Sequence, residues 1–225
     1  MAVGMSPLLF MLFESMSVDG HFSLNAYAEV LQTDRQWTLM RNSLTLASAV
    51  ALLTTLVGVP IGILFGKTDL PFRRFFTILF VTPLLVPPYI SAVSWSNFFT
   101  HAGGFSFQFL FGLPGAILVL FTVFLPVPML LTIFFLRSID PSLEEAGRVF
   151  ASWGKVMRGI TIPLIFPAIA LSFMLVFILS FGELSVANFL RYDVYAMESF
   201  TQFSAFYNFK AATAAALPLL SLIHI

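Results

Sequence analysis

Apolar positions in this chain gather into long, nearly unbroken runs separated by short polar connections. The complete runs cover about 43 to 66, 75 to 99, 114 to 136 and 163 to 184, each near the roughly 20 residues that a hydrocarbon core requires. Two further apolar stretches, at about 1 to 17 and 211 to 225, look cut short, and the closing "SLIHI" reads as foreign to the run it ends. The pattern predicts an all-α integral membrane protein, a single domain over 1–225 with about six transmembrane helices, the first and last truncated.

Loop charges orient these spans. The connections 67 to 74 and 137 to 162 hold Lys67, Arg73, Arg74, Arg137, Arg148, Lys155 and Arg158, whereas the other side holds Arg35, Arg41, Arg191 and Lys210. Basic loops stay in the cytoplasm, so the 137–162 loop is expected there and the 185–210 connection on the periplasmic face.

Two spans carry more than bulk. Gly58, Gly62 and Gly66 recur every four residues and continue a small-residue row of Ser43, Ala47 and Ala51, a ridge that lets another helix backbone approach closely. In "TPLLVPPYISAVSW", Pro83, Pro87 and Pro88 each remove a backbone donor, so the run 75 to 99 is expected to break or kink. Either a pathway or a simple bend would use such a break.

The polar loop 137–162 has its own helical grammar. Asp140 is placed to cap a helix, Pro141 to open it, and Glu144 and Glu145 fall in its early turns, where the dipole favours anions. Leu143, Ala146, Val149 and Phe150 share one face, and Ala146 with Gly147 leave the middle almost bare, a shape suited to a partner's groove. A second short helical piece follows Ser152, and Pro163 is expected to end it and open the next span.

The stretch "EEAGRVFASWGKVMRGITIP" resembles the EAA loop of permease subunits of binding-protein-dependent ABC importers. Glu145, Ala146 and Gly147 match its opening, and Ile160, Ile162 and Pro163 its close, while Ala151 stands where the family usually has glycine. "NSLTLASAVALLTTLVGVPIGILFGKTDLPFRR", "LLVPPYISAVSW" and "FGEL" extend the resemblance to the first half of the ferric-iron permeases. The resemblance implies an ATPase-coupling role for Glu144, Glu145, Ala146, Gly147, Val149 and Phe150. It further implies ATP and magnesium used by a partner ATPase rather than held here, and import of ferric iron across a bacterial inner membrane. The implied partners are a cytoplasmic ATP-binding subunit dimer, a periplasmic substrate-binding protein, a second permease half, fused or separate, and the surrounding bilayer. Thiamine, a phosphonate or a polyamine is the alternative cargo, and a motorless secondary transporter the alternative mechanism.

Composition narrows the chemistry further. Only 10% of residues are charged, and the 11 basic and 11 acidic side chains cancel, so no basic field recruits nucleic acid. The absence of cysteine removes thiolate nucleophiles and Cys-type metal sites. "GVPIGILFGKT" fails as a phosphate loop because Ile61 occupies the position that needs glycine. Glu183 is the acidic side chain nearest the end of a complete span; with Tyr89, Ser91 and Ser94 it is a candidate oxygen lining for a hard cation, against the plainer reading of a hydrated carboxylate at the surface. His21, His101 and His224 stand in no ligand spacing, and Trp37, Trp95 and Trp153 read as interfacial anchors.

Overall fold

The computed structural model describes residues 33–102 and 109–223, together with residues 6, 10–13, 15–18, 21–23 and 27. Helices carry the fold. The strands among the described residues are the two-residue antiparallel partners Ser17–Val18 and His21–Phe22, with Ser17 opposite Phe22.

Helix α1, Asp34–Lys67, is 34 residues long and begins well before the apolar run expected from 43. Its first turns are helical because they have something to pack on: Gln36, Leu39 and Ser43 are buried near a cap of short helices formed by the later chain. Next come α2, Arg73–Val81, a 3₁₀ turn, Thr82–Leu85, and α3, Pro88–Ala102. The expected span over 75 to 99 is therefore broken, with 103° between its two arms. Val86 is extended at φ −92° and ψ 128°, the conformation that a following proline imposes, and Pro88 restarts the helix where a missing N–H costs nothing.

Helices α4, Leu113–Phe124, and α5, Pro126–Leu136, run on as one apolar span. After α6, Pro141–Phe150, the short α7, Trp153–Val156, leads through a π-helical turn, Met157–Thr161, into α8, Ile162–Phe181. Pro163 does not end a helix, contrary to the sequence expectation: Trp153–Phe181 is one 29-residue run. The wider π turn lies just where the proline ring would strike the carbonyl four residues before it. The chain closes with α9, Ser185–Phe189, α10, Tyr195–Ser204, and α11, Phe209–Ile223.

Among the described residues three helices are long and apolar enough to cross a membrane, and the bent pair makes a fourth crossing if counted as one. The shorter apolar α11 covers most of the last expected span, and the expectation for 1–17 falls largely outside the described residues. The two ends of α1 meet different connections. Lys67 meets the 137–162 loop at one end of α1, while at the other Asn42 donates to the Asp193 carbonyl at 3.0 Å and Arg35 lies 3.7 Å from Glu198. The 185–210 connection is a packed cap with Val186, Leu190, Val194 and Tyr195 buried.

The core is built on α1, which lies against both α5 and α8. A Cβ on Gly58 would sit 2.6 Å from Pro128 Cγ and 3.0 Å from the Leu125 carbonyl, and one on Gly62 would sit 2.7 Å from the Met129 carbonyl. Neither helix gains from hiding apolar surface in lipid, so close approach and dispersion must hold them together. Trp95, expected as an interfacial anchor, instead stacks on Phe99 and donates to Thr122 Oγ1 at 3.3 Å within the α3–α4 contact.

The ridge predicts graded sensitivity. At Gly66 the near neighbour is the movable Leu136 Cδ1, at 2.8 Å, whereas at Gly62 the Met129 carbonyl and the stiff Thr132 Cβ both lie at 2.7 Å. Gly62→Ala should cost about 2–3 kcal/mol and Gly66→Ala less than about 1 kcal/mol. Thermal unfolding in detergent checks the order, and equal effects would refute backbone contact at Gly62.

Candidate functional site

The 137–162 loop folds as a helical hairpin. Asp140 Oδ1 accepts from the Ser142 N–H at 3.0 Å, Pro141 takes the first helical position, and that hydrogen bond to the Ser142 backbone is the main cause holding the Asp140 carboxyl below its usual value. Ala151, extended at φ −144° and ψ 153°, ends α6, and Ser152 starts the return into α7. Gly147 faces that return: a Cβ there would lie 2.7 Å from Ile160 Cδ1 and 3.3 Å from Val156 Cγ2. Its lack of a side chain serves the hairpin's own closure and not a bare outward surface, which corrects the sequence expectation for this residue.

Glu144 also turns inward. Lys67 Nζ, on the last turn of α1, donates to Glu144 Oε2 at 2.8 Å, and Thr161 Oγ1, in the π turn, donates to Glu144 Oε1 at 2.7 Å. Lys67 and Glu144 side chains are each only 18% exposed. Burial is the largest single influence on this carboxyl and opposes its charge, yet the hydrogen bonds from Lys67 and Thr161 and the charge of Lys67 together hold its pKa below the ordinary 4.5. One carboxylate thus ties the end of a membrane helix, the loop helix and the start of the next span. Nothing local in the sequence marks Lys67 and Thr161 as partners of this carboxylate. A cation closing an apolar run is the signal in sequence, but 77 residues separate it from its partner.

The outward face of α6 is apolar. Leu143 is 50% exposed, Val149 76% and Phe150 92%, with Ala146 and Glu145 also exposed beside them. The structure therefore splits the six loop residues: Glu145, Ala146, Val149 and Phe150 lie open, while Glu144 and Gly147 brace the hairpin from within. With Trp153 also exposed nearby, this face has no covering group among the described residues.

The four candidate pathway residues do not converge. Ser91 and Ser94 line a cleft of about 670 Å³ inside the elbow between α2 and α3, with Leu79, Val86 and Phe98. The Ser94 hydroxyl donates its hydrogen to the Ile90 carbonyl at 2.8 Å. Tyr89 packs edge-on against Phe189, 5.5 Å between ring centroids. Glu183 accepts through Oε1 from the backbone N–H groups of Ser185, at 2.8 Å, and Val186, at 3.1 Å, and from the Ser185 hydroxyl; it caps α9. Among the described residues no cluster of three His, Cys, Asp or Glu side chains forms.

Residues 58–225 match the family described as binding-protein-dependent transport system inner membrane component. The ferric transport system permease protein FbpB of Actinobacillus pleuropneumoniae is 27% identical over 189 residues, which are 77% of this chain and 27% of that protein. The putrescine transport system permease protein PotI of Escherichia coli K12 is 28% identical over 185 residues, 75% of this chain and 61% of that one. The chain thus spans under a third of the ferric relative's length. A crystal structure of a bacterial ABC transporter involved in the import of the acidic polysaccharide alginate shares the fold, with a TM-score of 0.75, 14% identity, and coverage of 98% of this chain and 85% of that one.

The Lys67–Glu144 contact makes a pH-signed prediction. A carboxyl with a lowered folded pKa adds stability above its unfolded value, near 4.5, and loses it as pH falls through the folded value. A double-mutant cycle of Lys67→Met and Glu144→Gln, read by unfolding, should give a coupling of about 1–2 kcal/mol at neutral pH, allowing for partial exposure. The coupling should vanish well below pH 4.5, and none at neutral pH would show that the pair does not tether the loop.

Proposed function

Because the chain belongs to the family of binding-protein-dependent transport system inner membrane components, we propose that it is the permease subunit of an ABC importer, carrying cargo from periplasm to cytoplasm across a bacterial inner membrane. Hydrolysis of ATP, with magnesium, is assigned to a separate cytoplasmic subunit dimer. A periplasmic binding protein delivers the cargo, and a second permease half, fused or separate, completes the path.

The observation that carries this reading is the braced hairpin with an apolar outer face. Helix α6 offers Val149 and Phe150 outward at the basic end, and Glu144 fastens the same helix to α1 through Lys67 and to α8 through Thr161. A docked ATPase that moves α6 then moves two membrane helices with it. ATP favours one arrangement of the ATPase over the other, and a stiff docked element passes that difference to the membrane. The glycine-rich stretch before Lys67 is helical, which suits a membrane helix and not a phosphate loop.

Ferric iron is the first cargo, on the relationship to the ferric permease. A polyamine is the second, on the comparable match to the putrescine permease. In neither case do we assign tight binding to this chain, because the elbow cleft is lined mainly by apolar surface. A weak lining releases what a binding protein delivers.

Substitution on the outer face separates docking from folding. In the full-length transporter, reconstituted with its ATPase and binding protein, Phe150→Asp should lower ATP-dependent uptake and ATPase retention by roughly 10–30-fold while leaving the unfolding temperature unchanged. Parallel uptake of labelled ferric iron and putrescine identifies the cargo. Uptake that survives Phe150→Asp, or that proceeds without ATP, would favour a transporter with no motor.

A further inference from the structure

At the basic end, α1, α2 and α5 enclose a second cleft, of about 590 Å³, apart from both the loop hairpin and the elbow. Its floor is apolar, formed by Phe65, Leu130 and Ile133, and its rim carries Arg73, Arg74 and Arg137. Three arginines thus border one greasy slot, with little to neutralise them. Asp69 approaches Arg73 at 3.9 Å but is itself fully exposed, and among the described residues no carboxylate pairs with Arg74 or Arg137.

The rim is also electrostatically unfavourable on its own. Arg73 and Arg74 open α2, the helix end where the backbone dipole already favours anions, and Phe72 before them is left-handed at φ 59° with no side-chain cap. An external anion would satisfy both the dipole and the guanidinium groups. The surroundings select what kind of anion. Phe72 is 78% exposed, Ile78 69% and Phe134 67%, so the cleft opens sideways through an apolar band and not into a polar basin.

We propose that this cleft binds one anionic phospholipid, with the phosphodiester headgroup held by Arg74 and Arg137 and an acyl chain laid along Ile78, Leu130 and Phe134. Arginine suits the headgroup because its planar fork pairs two donors with phosphate oxygens. A free phosphate ion would leave the apolar floor unused, whereas a phospholipid uses rim and floor together. Basic pockets between membrane helices on the cytoplasmic side are where such headgroups are taken up. The site does not depend on which cargo is carried.

Native mass spectrometry of the intact transporter, titrated with phosphatidylglycerol or phosphatidylcholine, tests the assignment. Wild-type protein should retain phosphatidylglycerol over phosphatidylcholine, and the paired substitution Arg74→Gln and Arg137→Gln should weaken that retention about 30-fold. Arg74→Lys with Arg137→Lys should keep most of it, and the single glutamine variants serve if the double one does not assemble. Equal retention of the two lipids, retention unchanged by the glutamine pair, or no lipid on wild-type protein because another membrane subunit covers the cleft would each overturn the proposal.

Discussion

The close approach of α1 to α5 is the constraint on which the rest of the molecule depends. In a bilayer no water is expelled when two apolar helices meet, so contact must come from backbone-level fit. Gly58 and Gly62 supply it, each placed where a Cβ would intrude on Leu125, Pro128 or Met129. Once these two helices touch, α8 can pack on the same helix, and the buried cluster of Leu46, Val50, Val119, Val123 and Val176 joins the spans toward the opposite end.

The 137–162 hairpin inherits its position from that contact. Lys67 lies one residue beyond Gly66, so the end of the packing ridge is also the anchor of Glu144. Thr161 presents its hydroxyl from a π turn at the head of α8, and both oxygens of one carboxylate are thereby used. The inner side of α6 is occupied by structure, leaving Val149 and Phe150 to the outside. Bracing and exposed apolar surface thus lie on opposite faces of a ten-residue helix.

Much of this was legible in the sequence where it depends on neighbours along the chain. The Asp140–Pro141 start and the four-residue glycine spacing read correctly because capping and helical periodicity are local properties. What escaped depends on partners far away. Glu183 looked like a free acid until the N–H groups of Ser185 and Val186 were seen to converge on it, and Trp95 looked interfacial until Thr122 and Phe99 enclosed it. The early start of α1 was hidden because polar residues such as Gln36 and Ser43 are covered by the packed cap and not by lipid, with the Tyr195 N–H donating to Ser43. Prolines marked a break after Leu85 but could not give its 103° angle, and Pro163 marked a stop that a widened turn absorbs.

The length of α1 carries a mechanical consequence. Its 34 residues extend about 51 Å, well beyond a hydrocarbon core of roughly 30 Å, and both ends are fastened: Ser43 accepts from the Tyr195 N–H near one, and Lys67 grips Glu144 at the other. Such a helix behaves as a lever. Pivoted near one end, a tilt of about 5° sweeps the far end through roughly 4 Å, so a small adjustment on one side of the bilayer becomes a displacement larger than a water molecule on the other.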